Sequence, residues 1–192
     1  MIFPVVLDAC VLVGARLCDL YLRLAENPRL YTPVWSEAIL DEVFNYQTTK
    51  LKNKLPQERA QSWRAAVTKA FPEASVQGWE ALLPAMTINE KDKHVLAAAI
   101  KSRASVIVSF NLKDFPSEAL KPFGVEAIHP QDYLLTLWSM APSLVMAKLG
   151  AISRDRKCEL QDTLIHLGKT VPAFSRQILE EIGEDGSVLM DC

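Results

Sequence analysis

Two apolar runs constrain this chain more than anything else in it. Ile2 to Leu7 contains no polar residue, with Pro4 near its start, and Ser105 to Phe110 (Ser-Val-Ile-Val-Ser-Phe) is apolar and β-branched. A segment that is apolar at every position, rather than at alternate ones, has no face to turn to water. It suits a strand covered on both sides, as the central strands of a parallel sheet are.

Helical patterns fill the intervals. Leu17, Leu20, Tyr21 and Leu24 recur at i, i+3, i+4 and i+7, predicting a helix that ends near Glu26 ahead of the breaker pair Asn27-Pro28. A short second strand is expected at about Arg29 to Thr32, stopping at Pro33. Ser36 then reads as the N-cap of a helix whose inner face carries Ile39, Leu40, Val43 and Phe44. Residues 47 to 87 read as helical throughout, punctuated by Pro56, Pro72, Gly78 and Pro84. Asp92 to Lys101, with Val95-Leu96-Ala97-Ala98-Ala99-Ile100, strongly favours helix. A further short strand is expected at Val125 to Ile128, and His129-Pro130-Gln131-Asp132 caps a helix through Trp138. This alternation of strand and helix predicts an α/β sandwich around a parallel sheet. Past Met140-Ala141-Pro142 no strand candidate remains, and two or three amphipathic helices run to Gly183. The expected division is therefore a domain over residues 1–138 and a C-terminal helical extension over 139–192.

Composition excludes several classes. The 192 residues are 49% apolar and 23% charged with a net charge of −2, which is globular and rules out a protein that holds nucleic acid by bulk charge alone. No apolar run approaches the roughly 18 residues that a membrane span requires. The N-terminus lacks a basic region and reaches a charge at Asp8, so no signal peptide is expected. Cys10, Cys18, Cys158 and Cys192 form no C-x-x-C pair, which points to buried free thiols rather than a zinc or disulfide framework. The expectation is a soluble, cytoplasmic protein.

Ligands of open α/β sheets bind outside the carboxyl ends of the strands. At those ends stand Asp8, after the first strand, and Asn111 with Asp114, after the Val106–Val108 strand. Glu42 and Asp92 fall at helix positions able to face the same edge. Each has an ordinary reading. Asp8, Asn111 and Asp114 suit turns, Glu42 beside Asp41 suits a solvated helix, and Asp92 suits a first helical turn. As a set they mean more. Carboxylates that converge without Lys or Arg partners raise one another's pKa, and a hard divalent cation such as Mg²⁺ neutralises them best. Four such acids suffice for one or two ions, and for attack of an activated water on a phosphodiester.

The ordered set resembles the PIN-domain family. Val5-Val6-Leu7-Asp8-Ala9-Cys10-Val11-Leu12-Val13 is similar to its opening, and Trp35-Ser36-Glu37-Ala38-Ile39-Leu40-Asp41-Glu42-Val43 to its second motif. Asp92-Lys93-His94-Val95-Leu96-Ala97-Ala98-Ala99 resembles the third. Val106-Ile107-Val108-Ser109-Phe110-Asn111-Leu112-Lys113-Asp114-Phe115 resembles the fourth. The resemblance covers about residues 2 to 138 in order. It implies a three-layer α/β/α sandwich with a parallel sheet of four or five strands and a ribonuclease dependent on Mg²⁺ or Mn²⁺. Asp8, Glu42, Asp92 and Asp114 carry the catalytic and metal roles. Many members have an acid where this chain has Asn111, so only a positioning role is carried to Asn111, and Ser109 supports Asp8 by hydrogen bonding. The branch it resembles includes VapC-type toxins of type II toxin–antitoxin systems, which are held inactive by a VapB-type antitoxin and tend to form homodimers. The stretch 139–192 is similar to the helical extension that some of them carry.

Other residues bear on RNA. Within 50–69, Lys50, Lys52, Lys54, Arg59, Arg64 and Lys69 face one acid, Glu58, and such a stretch serves either as a backbone contact or as a solvated helix face. Arg16, on the helix after Asp8, is a candidate to reach a phosphate. Trp63 and Trp79 read as core before they read as base-stacking platforms. His94 reads as structural or phosphate-facing, and His129 and His166 have no evident partner. Two other functions compete. One is a PIN-like module that binds RNA or protein without cutting, kept open by Asn111. The other is an Asp-nucleophile phosphatase, which wants a second Asp where Cys10 stands.

Overall fold

The computed structural model of the chain describes residues 3–184. Five strands form its sheet: β1 (Pro4–Leu7), β2 (Thr32–Ser36), β3 (Ser75–Val76), β4 (Val106–Val108) and β5 (Glu126–Ile128). Their order is β3-β2-β1-β4-β5 and every pairing is parallel. The two apolar runs become the central neighbours β1 and β4, in register from Val5–Val106 to Leu7–Val108. Val5, Val6, Leu7, Ile107 and Val108 are each 2% exposed or less, the double-sided burial their composition predicts.

The helices are α1 (Ala9–Leu12), α2 (Ala15–Ala25), α3 (Glu37–Asn45), α4 (Gln57–Ala70), α5 (Lys93–Ser102), α6 (Ser117–Leu120), α7 (Pro130–Met140), α8 (Pro142–Arg156), α9 (Leu160–Leu167) and α10 (Pro172–Glu184). They flank the sheet as an α/β sandwich. Helix α5 packs on β1, β2 and β4, and its fully buried Ala97, Ala98 and Ala99 allow that approach to be close. Helices α2 and α7 meet through Tyr21 and Tyr133, stacked with centroids 6.4 Å apart, while Tyr31 packs edge-on against both. The Tyr21 hydroxyl donates to the Pro130 carbonyl at 2.7 Å, and the Tyr31 hydroxyl donates to the Tyr21 carbonyl at 2.6 Å.

Two sequence expectations are corrected. The second strand does not stop at Pro33 but begins at Thr32 and runs through it to Ser36. Thr32 N–H donates to Phe3 on the β1 side, so Pro33 turns its donorless nitrogen the other way. There β3 pairs only from Trp35 onward, and no ladder bond is lost. Residues 47–87 are not helical throughout. A π turn over Tyr46–Lys50, closed by Leu51 N–H to Tyr46 C=O at 3.1 Å, leads to α4. After Phe71 a short 3₁₀ turn delivers the two-residue edge strand β3, and Glu80–Ala85 is again 3₁₀.

Among the described residues, the chain beyond α7 forms three helices. Val145, Leu149, Ile152, Leu164, Leu167, Val171, Phe174 and Ile178 are buried and join the same apolar core. Arg23 of α2 donates to Asp155 at 2.6 Å, Arg156 donates back to Asp19 at 2.7 Å, and Trp138 Nε1 donates to Glu181 at 3.1 Å. Among the described residues no single helix is long and apolar enough to cross a membrane. Cys18 is buried and Cys10 and Cys158 half-buried, all three as free thiols; Ile2 and Cys192 lie outside the described residues.

Candidate active site

Strand order decides where the site lies. From β1 the chain steps outward through β2 to β3, then returns to add β4 and β5 on the other side, so the topology reverses between β1 and β4. Loops leaving two such neighbours diverge and open a crevice at their carboxyl ends. Asp8 follows β1 directly, and Ser109 follows β4.

These two loops are tied together. Asp8 is 7% exposed and its backbone N–H donates to Val108 C=O at 3.1 Å. Ser109, fully buried, donates its hydroxyl to Asp8 Oδ2 at 2.6 Å, and Cys10 Sγ donates to the same oxygen at 3.1 Å. The Ser109 hydroxyl oxygen in turn accepts from Asn111 N–H at 3.0 Å, and Cys10 Sγ accepts from Phe110 N–H at 3.3 Å. One Asp8 oxygen is thereby held by two donors, leaving the other free. Burial, and after it the charge of Asp8, pushes the Cys10 thiol up to about 12, so it stays a neutral donor.

Three further acids reach this edge from separate elements. Ser36 accepts from Ile39 N–H at 3.3 Å and starts α3, which carries Glu42 one turn further on. The 3₁₀ turn Glu90–Asp92 sets Asp92 at the start of α5. Asp114 closes the 3₁₀ turn that begins at Leu112, its N–H donating to Asn111 C=O at 2.9 Å. Their electrostatics couple them. Burial first, then the charges of Asp8 and Asp92, push the Glu42 carboxyl up to about 7, with Lys50 and Lys91 opposing. Burial raises Asp92 as well; Asp114 and Asp8 add to this and Lys91 works against it. Asp92 Oδ2 is buried without a hydrogen-bond partner.

The four predicted acids therefore share one edge, although among the described residues no three His, Cys, Asp or Glu side chains close around a single point. Their donor set is hard oxygen with surplus negative charge and one orphaned buried oxygen, which fits a hard divalent cation.

Other predicted residues lie differently. Asn111 is exposed and engages the site through its backbone. Lys50 lies near enough for its charge to act on Glu42, and Lys52 and Lys54 are exposed on the loop that follows. Arg16 pairs with none of the four acids; it lines a cleft of about 540 Å³ with Arg156, Cys158, Asp162 and His166. Trp63 is half-buried beside Arg59 in a groove between α2 and α4. Trp79 packs its ring 6.2 Å from that of His94.

Sequence reasoning does not find the place of three residues at the site. His94 Nε2 stands 3.6 Å from Glu42 Oε1, and burial lowers its pKa. Lys91 Nζ stands 3.4 Å from Asp114 Oδ2 and 3.7 Å from Asp92 Oδ2. Cys10 is the third. Each lies within two positions of a predicted acid, and that proximity is the one signal the sequence carries for them.

A family model for the PIN domain matches residues 4–113. A Mycobacterium tuberculosis protein named as the ribonuclease VapC50 is 40% identical over 119 residues, covering 59% of this chain and 70% of that protein. No solved structure matches at a significant level.

Proposed function

This chain belongs to the PIN-domain family, and on that premise we propose that it is a divalent-metal-dependent endoribonuclease acting as the toxin of a toxin–antitoxin pair. The observation that carries the reading is electrostatic: Glu42 is pushed up to about 7 by burial and by Asp8 and Asp92, beside an Asp92 oxygen that is buried without a hydrogen-bond partner. A protein with no use for a cation has no reason to collect four acids at a sheet's switch point.

Asp8, Glu42, Asp92 and Asp114 would hold Mg²⁺ or Mn²⁺. When bound, such an ion supplies Lewis acidity toward a phosphodiester and toward a water molecule. The chain's own residues do the positioning. Ser109 and Cys10 fix one Asp8 oxygen so that the carboxylate presents the other, and Asn111 fixes Ser109 through its backbone N–H. His94 Nε2 stands 3.6 Å from Glu42 Oε1 without a hydrogen bond between them. Lys50, Lys52 and Lys54 offer cations to the RNA backbone beside the acids. Attack by water with the 3′-oxygen as the leaving group, which takes up a proton as the P–O3′ bond breaks, leaves 5′-phosphate and 3′-hydroxyl ends.

In this reading residues 1–138 carry the nuclease and 139–192 a helical extension, and the protein acts in the cytoplasm. The VapC name of the Mycobacterium tuberculosis relative supports a VapB-type antitoxin as inhibitor, and a homodimer is carried over from the family resemblance alone. The test is a Mn²⁺ titration by calorimetry beside an RNA cleavage assay, with Asp8→Asn as the control. Binding and cleavage that are both lost in Asp8→Asn agree with the proposal. Cleavage undiminished in Asp8→Asn contradicts it, and RNA binding with neither metal binding nor cleavage identifies a non-catalytic module instead.

A further inference from the structure

Lys91 stands in the acid cluster as its opposite charge. Its ammonium approaches Asp114 Oδ2 at 3.4 Å and Asp92 Oδ2 at 3.7 Å, two oxygens that come from different loops. The Asp92 oxygen is the one without a hydrogen-bond partner. The backbone below Lys91 is fixed, since Asn89 Oδ1 accepts from Lys91 N–H at 3.3 Å where the Glu90–Asp92 turn begins. The arm above it is not, because the side chain is 62% exposed. Lys93 is committed to Glu90 at 2.7 Å and Arg64 to Glu37 and Asp41, while Lys50 acts on Glu42. An ion held by Asp92 and Asp114 would meet an ammonium already placed against both carboxylates, and like charges repel.

We propose that Lys91 is a tethered cation that competes with divalent metal for the Asp92–Asp114 edge of the cluster. The inference rests on the metal reading of the four acids and adds an internal competitor to it. Because Lys91 is exposed, the competition is mild: water screens both ion pairs, and a divalent ion displaces the ammonium without disturbing the fold. The same side chain preserves the charge balance of the edge when no ion is bound.

The experiment is a calorimetric Mn²⁺ titration, at low salt, of the full chain and of Lys91→Met, Lys91→Gln and Lys91→Arg. The two neutral variants bind Mn²⁺ about three- to ten-fold more tightly than the parent, in keeping with the loss of two exposed ion pairs, whereas Lys91→Arg stays within about two-fold. Lys121→Met, which removes an equal charge from the opposite end of the sheet ahead of β5, shows no such gain, whereas a general effect of net charge would give both variants the same one. Neutral variants that bind Mn²⁺ no more tightly than the parent overturn the competition. If parent binding is then still lost in Asp8→Asn, the metal site itself stands. Absence of Mn²⁺ binding in every protein overturns both.

Discussion

Ser109 donates its hydroxyl to Asp8 at 2.6 Å across the junction of β4 and β1. Both side chains are buried, and the bond orients a carboxylate that the four-acid site depends on. Ser109→Ala should weaken Mn²⁺ binding roughly 10- to 100-fold, as loss of a supporting donor does at other metal sites. Ser109→Thr should restore most of it. Paired titrations of the two variants measure this, and Ala and Thr variants that weaken binding equally would point to a packing defect rather than a missing donor.

Glu42 gives the metal-free protein a pH signature. Its carboxyl sits at about 7 when folded, against 4.5 in the unfolded chain, so between those values the folded state takes up a proton that the unfolded state does not. This contribution favours folding fully below about 4.5 and is lost as pH rises through about 7. In EDTA, Glu42→Gln should therefore raise the melting temperature at pH 8 and change little at pH 4.5. Nearly half of the Glu42 side chain is exposed, which keeps the effect modest. Added Mn²⁺ should close the gap at pH 8 by stabilising the parent.

The basic stretch after α3 divides by what its residues already hold. Arg64 is committed to Glu37 and Asp41, whereas Lys50, Lys52 and Lys54 are exposed around the π turn and the loop that follows. The triple Lys→Ala variant should weaken RNA binding and reduce the slope of affinity against salt by about one for each phosphate no longer neutralised. Arg64→Ala should leave that slope unchanged. Fluorescence anisotropy with an Asp8→Asn background, at several salt concentrations, separates the two.

Tyr21 tests the scaffold apart from the chemistry. Its hydroxyl reaches the Pro130 carbonyl at 2.7 Å in a fully buried setting where α2 meets α7. Tyr21→Phe should cost about 1–2 kcal/mol in urea unfolding and leave Mn²⁺ affinity as it is.

Legibility in the sequence follows range. Asp8, Asn111 and Asp114 can be placed at the sheet edge because the apolar runs before them suit only buried parallel strands, and the strand order then puts them at one crevice. Ser36 is readable as a cap because a cap is an interaction over three residues. What depends on distant pairing is not readable. Pro33 looks like a stop until it is known that β3 joins β2 only at Trp35. Ser75–Val76 is too short to carry any periodicity, and its strand character comes wholly from its neighbour. Residues 47–87 favour helix residue by residue, yet the π turn and the 3₁₀ segments follow from how they pack. Lys91 and His94 look like ordinary residues of a helix start, since their partners Asp114 and Glu42 lie 23 and 52 positions away in the chain.

The most direct test of a metal-dependent ribonuclease built on these four acids is to induce the protein and its Asp92→Asn variant in a bacterial host and map new RNA 5′ ends. The account predicts discrete 5′-phosphate ends with growth arrest for the parent, reduced on the order of a hundredfold or more by Asp92→Asn. The same ends at the same abundance from both proteins would contradict it.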